Sequence, residues 1–482
     1  MRVLEHLEPK AVFSFFEDLC AIPHASGNTK GISDYCVRFA RERALEVHQD
    51  SLNNVIIVKP ATPGYEAAPT VILQGHLDMV AEKTPESPID FSKDGLSLVV
   101  DGDFVRAEGT TLGGDDGIAV AMALAVLDSN DLAHPRLECV FTVDEETGMD
   151  GAHGLDVSSL QGRRLLNIDS EEEGILTVSC AGGAHADVRI PMTSAPCALA
   201  AAELSITGLK GGHSGAEIDK GRANSNILLG RVLTALCDAL PVRLCFAEGG
   251  LKDNAIPLAS RAVLALEEKD LARALALCAA YHETLRKEYA VSDPGVTVTL
   301  NPCAKAGTAL SEDDTKKVCR FLGLYPNGIA AMSMDIAGLV ETSCNLGIFR
   351  VDAAGLHASG SVRSSVASRR GMLLRKISLL AESFGGTCAV SGEYPAWEYR
   401  RESHLRDVMC SVYEAQYQKP MRVEAIHAGL ECGLFSGKMP GLDCVSFGPD
   451  LYDIHTTLEH MSISSVQRVW RYLCAVLREL KD

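Results

Sequence analysis

Although the chain contains sixteen cysteines, no two are spaced C-x-x-C. The cysteines stand in apolar helical and strand runs (Cys20, Cys36, Cys139, Cys237, Cys278, Cys474). Such usage fits thiols serving as small core residues in a reducing compartment. Positive charge is also scarce. A net charge of −19 over 482 residues leaves no basic footprint for nucleic acid or an anionic membrane. Long apolar runs are missing too: the longest, Ile118 to Leu127, falls far short of the roughly 20 residues of a membrane span. The opening MRVLEHLEPKAVF has no basic start, apolar run and cleavage site in succession. A soluble, cytoplasmic protein is the expectation, with neither nucleic acid nor membrane as partner.

What is present is ample core material, 46% hydrophobic, enough for two or three units at about 150 residues or more each. Up to about residue 187 helix and strand patterns alternate. Ile32, Tyr35, Cys36 and Phe39 share one helical face, and Asn54 to Val58 reads as a strand. The continuous apolar runs before Gln74 and Asp169 suit a parallel sheet covered on both faces. GIAVAMALAVLD behind Asp115 reads as a buried helix. Residues 188–391 change character, with strand and helix patterns of an inserted α+β domain and no fixed-period repeat. Residues 392–482 resume the earlier style and end in an amphipathic helix carrying Val466, Val469, Leu473, Leu477 and Leu480 on one side.

The chemistry-bearing residues follow strand ends and glycine turns. His76 and Asp78 close TVILQGHLDMV, Asp115 lies in GTTLGGDDGI, Glu145 and Glu146 follow LECVFTVD, and Asp169 closes LLNID. In open α/β sheets such positions present side chains to ligands. Imidazoles and carboxylates converging there make a divalent-cation site of mixed ligands that suits zinc, with manganese or cobalt as substitutes. Asp115 in its tight turn is placed to bridge two ions. Glu146 and His455 would complete one set, His76 and Asp169 the other. Asp78 would orient the His76 imidazole, and Glu145, adjacent to a ligand yet free, would be the general base. Any one of these acids alone is more often a helix cap or a solvated charge; four such elements in chain order carry the reading. A phosphate loop at TLGGDDG is disfavoured, since it lacks the P-loop lysine and its aspartates repel phosphate.

HLDMV, TTLGGDDG, DEETGMDGA, NIDSEEEG and GLKGGHSG together resemble the M20 family of metallopeptidases, and within it the aminoacyl-histidine dipeptidases. CAGG at 180–183, NAIP at 254–257, EYPAW at 393–397 and IHAGLECGLF at 426–435 extend the resemblance along the whole chain. It implies a zinc-peptidase-like catalytic domain of α/β class with a mixed, mostly parallel sheet. The catalytic domain would comprise residues 1–187 and 392–482, and an α+β lid domain residues 188–391. It implies two divalent metals per chain, the ligands His76, Asp115, Glu146, Asp169 and His455, the base Glu145, and a cis peptide at Asp115–Asp116. His455 is preferred to His460 by motif spacing, and Glu459 matches the family's downstream acid. His213 resembles the lid histidine that hydrogen-bonds substrate, Arg363 a grip for the substrate carboxylate, Asn254 a further pocket residue, and Glu431 a holder of the free amino group. His427 and Cys432 read as local packing. A homodimer is implied, in which His213 acts in its own chain or in its partner's.

The expected activity is hydrolysis of Xaa-His and other unblocked dipeptides. Another M20 amidohydrolase, such as an N-acyl amino acid deacylase or a desuccinylase, would share the metal residues and differ in its lid contacts. A binding protein that keeps the fold without chemistry is disfavoured, because every ligand and the base are intact.

Overall fold

The computed structural model describes residues 2–482. The described chain divides into two compact units: residues 2–179, 399–425 and 430–482 form the first, and residues 180–398 with 426–429 the second.

The first unit is built on a mixed eight-stranded sheet, in the order Glu46–Gln49, Val55–Lys59, Leu137–Thr142, Val71–His76, Arg164–Asn167, Asp443–Ser446, Ile175–Cys180, Arg422–Ile426. Its four central strands, from Leu137–Thr142 to Asp443–Ser446, run parallel, while the pairings at the Glu46–Gln49 edge are antiparallel. Val71–His76 and Leu137–Thr142 are buried at every position. This is what parallel strands covered on both faces require, and why their sequences are unbroken apolar runs rather than alternations. Behind the sheet runs helix Gly114–Asp128, buried continuously from Asp116 to Leu127. Helix Lys10–Cys20 packs on it through the fully buried Phe16, whose ring stands 3.3 Å from where a Cβ on Gly117 would lie. The closing helix Ile463–Glu479 buries Val466, Val469, Leu473 and Leu477 and is capped by the Ser462 hydroxyl, which accepts from the Ser465 N–H. Leu480 lies just past its end and is also buried.

The second unit carries a nine-stranded sheet whose pairings are antiparallel, in the order Thr297–Cys303, Ala200–Thr207, Ser260–Leu266, Arg243–Gly249, Val340–Asp352, Gly355–Ser364, Gly182–Ile190, Thr387–Tyr394. Gly328–Met332 is added against Val340–Asp352. Helices Ser225–Ala239, Leu271–Glu288, Glu312–Leu324 and Ala367–Ser383 belong to the same unit, and Leu229, Val232, Leu236, Phe321, Leu346 and Phe349 are part of its core. Among the described residues no helix is long and apolar enough to cross a membrane.

Candidate active site

Three parallel strands deliver the first candidate ligands. His76 is the last residue of Val71–His76, Glu145 and Glu146 lie just past Leu137–Thr142, and Asp169 just past Arg164–Asn167. Asp115 enters from the first turn of helix Gly114–Asp128, and the Asp115–Asp116 peptide is cis. His455 comes from the turn between the short strands Leu451–Tyr452 and His460–Ser462. Asp144 and His455 hold positive φ, +56° and +60°, a conformation that costs a non-glycine residue energy and gathers at functional sites.

The Asp115 carboxylate divides between two imidazoles. Its Oδ1 is 3.1 Å from Nε2 of His76 and its Oδ2 is 3.2 Å from Nε2 of His455. Asp169 Oδ1 stands 3.7 Å from the same His76 nitrogen, and Glu146 Oε1 stands 3.0 Å from the same His455 nitrogen. His76 Nδ1 faces the backbone carbonyl of Asp78 at 2.9 Å. Donation there turns Nε2, with its lone pair, toward the carboxylates. Two acceptors facing one another need a proton or a cation between them. Ligand atoms at about 2.0–2.2 Å from one tetrahedral ion stand roughly 3.3 Å apart, near the spacings found here. His76, Asp115 and Glu146 offer donor atoms within 4.8 Å of one another, as do His76, Asp116 and Asp169.

Charge points the same way. Burial, with Asp116 adding, raises Asp169, and burial likewise raises Asp116. Glu145 is pushed up to about 8 by burial, with Glu431, Glu146 and Asp115 adding and His76 opposing. Asp115 and Glu146 in turn lift His455 to about 10. More buried carboxylate than imidazole is what divalent cations neutralise, so the donor set fits two ions sharing Asp115.

Asp78 differs in detail from its expected part. Its backbone carbonyl, not its carboxylate, is the near partner of His76; the carboxylate is 3.6 Å away. The carboxylate accepts instead from the backbone N–H groups of Glu145 (3.1 Å) and Glu146 (3.4 Å) and from the Ser26 hydroxyl (2.8 Å). It thereby anchors the turn that carries both glutamates. Asp116, which the sequence reading passed over except at its peptide bond, accepts from the His76 N–H at 3.2 Å. Gly75 makes room for it, since a Cβ there would come within 2.5 Å of Asp116 Oδ2. Glu459 accepts from the backbone N–H groups of Leu112, Gly113, Gly114 and Asp115 at 2.7, 3.1, 2.8 and 3.4 Å. A carboxylate at the start of the Asp115 helix supplies the cap that Gly113 cannot. His460 packs between Phe104 and Tyr452 and stays out of the ligand set.

In the triplet Glu171-Glu172-Glu173, Glu172 pairs with Arg422 and Glu173 with Arg468. Glu171 has Asp115, His455, Glu146 and Glu459 as its charged neighbours, and burial first and those carboxylates next push it up to about 7. Only the repeated acids of NIDSEEEG hinted at it. Glu431, expected to meet a substrate amine, is 0% exposed. Its Oε2 accepts from Gln74 Nε2 at 2.5 Å and Thr142 Oγ1 at 2.8 Å, a place beneath the strand ends rather than on an open wall.

Of the remaining expected residues, His213, Asn254, Arg363 and His427 belong to the second unit and Cys432 to the first. His213 Nδ1 accepts from the Ala216 N–H at 2.9 Å, leaving Nε2 to carry the proton of the neutral ring; burial and then Arg363 lower its pKa. Asn254 is exposed, and its carbonyl accepts from the Ser214 N–H at 2.9 Å. Arg363 donates from Nη1 to the Tyr394 hydroxyl at 2.7 Å. His427 is buried with Nε2 2.7 Å from Ser343 Oγ, and Cys432 is buried.

Known proteins bear on this geometry. The model of peptidase family M20/M25/M40 matches residues 72–479. The chain is 36% identical over 482 residues to the cytosol non-specific dipeptidase of Escherichia coli (strain K12), covering all of this chain and 99% of that one. The crystal structure of aminoacylhistidine dipeptidase from Vibrio alginolyticus superposes with a TM-score of 0.93 at 36% identity, over 98% of this chain and 97% of that one. The aminopeptidase PepT of Bacillus cereus shares the fold at 15% identity and a TM-score of 0.57, over 99% of this chain and 100% of that one. The chain belongs to peptidase family M20/M25/M40 and is a hydrolase of peptide bonds.

Proposed function

We propose that the chain is a two-metal dipeptidase that cleaves Xaa-His and other unblocked dipeptides, in the cytoplasm and as a homodimer. The observation that carries the reading is Asp115, with one oxygen toward His76 and the other toward His455. Zinc suits these ligands, and manganese or cobalt can take its place. His76 with Asp169, and His455 with Glu146, would hold the divalent ions with Asp115 common to both sets, and bound ions would supply Lewis-acid polarisation of the peptide carbonyl and acidification of water.

The side chains do the rest. Glu145 takes a proton from the attacking water on its carboxylate and passes it to the departing amine. Asp78 keeps Glu145 and Glu146 in their turn by accepting both N–H groups, and its carbonyl sets the His76 tautomer. On the second unit, His213 presents Nε2–H as a donor to substrate, Arg363 is assigned the substrate carboxylate, and Asn254 is a neighbouring polar contact.

The test is a panel of Xaa-His and Ala-Xaa dipeptides, free and N-acetylated, assayed with chelator and after metal is restored. Metal-dependent cleavage confined to the free dipeptides is expected. Cleavage confined to acylated substrates would move the chain to the deacylases.

A further inference from the structure

Three residues of the second unit form one row across three adjacent strands. Arg363 on Gly355–Ser364 is opposite Gly183, and Gly183 is opposite Tyr394 on Thr387–Tyr394. Directly opposed residues share a face of the sheet, and neighbouring strands lie about 4.8 Å apart. A side chain on the middle strand would therefore stand between the outer two. Glycine leaves that place to the Tyr394 ring, which a Cβ on residue 183 would meet at 2.5 Å. Over Gly183, Arg363 Nη1 donates to the Tyr394 hydroxyl at 2.7 Å. Tyr394 is itself tied down, because Arg370 Nη1 donates to its backbone carbonyl and, at 3.2 Å, to that of Gly183.

The Arg363 guanidinium is thus held through Nη1. Its Nε is buried and has no hydrogen-bond partner among the described residues. Its nearby titratable groups include His213 and His427, both of which its charge helps keep neutral. A buried donor without an acceptor is costly unless a ligand supplies one, and the Nε–Nη2 edge is the one that matches a carboxylate with two parallel bonds.

We propose that Tyr394 is a positioning residue for specificity: its hydroxyl, reaching Arg363 over Gly183, turns the Nε–Nη2 edge toward the C-terminal carboxylate of a short peptide. This rests on the reading of Arg363 as the carboxylate grip. Tyr394 touches no substrate atom in this scheme. It decides whether a free C-terminus is told apart from a blocked one.

The experiment compares Ala-His with its C-terminal amide, on metal-loaded enzyme, for wild type, Tyr394→Phe, Gly183→Ala and Arg363→Lys. Tyr394→Phe keeps the ring and removes only the hydroxyl. KM for the free acid is expected to rise about tenfold or more, the worth of a hydrogen bond to a charged group, with kcat little changed and the amide's constants unmoved. Gly183→Ala is expected to repeat the pattern by displacing the ring. Equal losses on acid and amide would make Tyr394 a merely structural residue and overturn the proposal. If Arg363→Lys collapses the acid preference while Tyr394→Phe leaves it at the wild-type value, the Tyr394 assignment fails alone. If Arg363→Lys leaves the preference intact, or wild type has none, the carboxylate reading of Arg363 falls and takes this one with it.

Discussion

Glu459 holds the backbone of Asp115 and of the three residues before it: its Oε1 accepts from Gly114 N–H at 2.8 Å and Asp115 N–H at 3.4 Å, and its Oε2 from Leu112 and Gly113. Asp115 therefore reaches two imidazoles from a turn that cannot drift. Glu459→Gln leaves volume unchanged and turns an amide N–H₂ toward those donors. Metal affinity, measured by competition with a chromogenic chelator, is expected to fall by about 10–100-fold, the usual effect of losing a group that orients a ligand. Unchanged affinity would mean that the turn holds without it.

Glu145→Gln removes the proton acceptor and keeps the Asp78 contact, which is to the backbone N–H. A fall in kcat by about 10²–10⁴-fold is expected, with metal content per chain unaltered by elemental analysis. Loss of metal together with activity would show that Glu145 and Glu146 have exchanged parts.

Phe16 is buried against the helix that begins at Asp115. Phe16→Ala should lower unfolding free energy by about 3–5 kcal/mol in denaturant titration. A loss under about 1 kcal/mol would show that the helix closes over the gap.

His427 is lowered to about 4, by burial first and then by Arg363. Below the ordinary pKa of 6.5 the unfolded chain takes up a proton that the folded one refuses, so stability rises with pH between about 4 and 6.5. Over that window the difference amounts to roughly 3 kcal/mol. Replacing His427 with Gln should flatten the pH dependence of the denaturation midpoint there; an unaltered slope would assign it to other groups.

Much of the site was legible because its residues follow features that local sequence betrays: an apolar run ending at His76, a GGDDG turn, an acid pair after LECVFTV. The parallel sheet could be read from the same unbroken runs. Legibility ended where a role depends on which atom points where. Asp78 brings its carbonyl to 2.9 Å and its carboxylate to 3.6 Å from His76 Nδ1, a division no spacing in the sequence reveals. Asp116 and Glu431 needed the packing of Gly75 and the strand ends to be placed. Strand Arg243–Gly249 escaped a periodicity reading: a register shift between Leu244 and Phe246 breaks its alternation. The row Arg363–Gly183–Tyr394 spans 212 positions of sequence and exists only once strand order is known.

Metal stoichiometry of wild type and Asp115→Asn tests the central claim most directly. Two divalent ions per wild-type chain are predicted, with loss of both ions and of dipeptide hydrolysis when Asp115 can no longer be shared. A variant that keeps two ions and full activity, or a wild type fully active after exhaustive chelation, would contradict a shared two-metal centre.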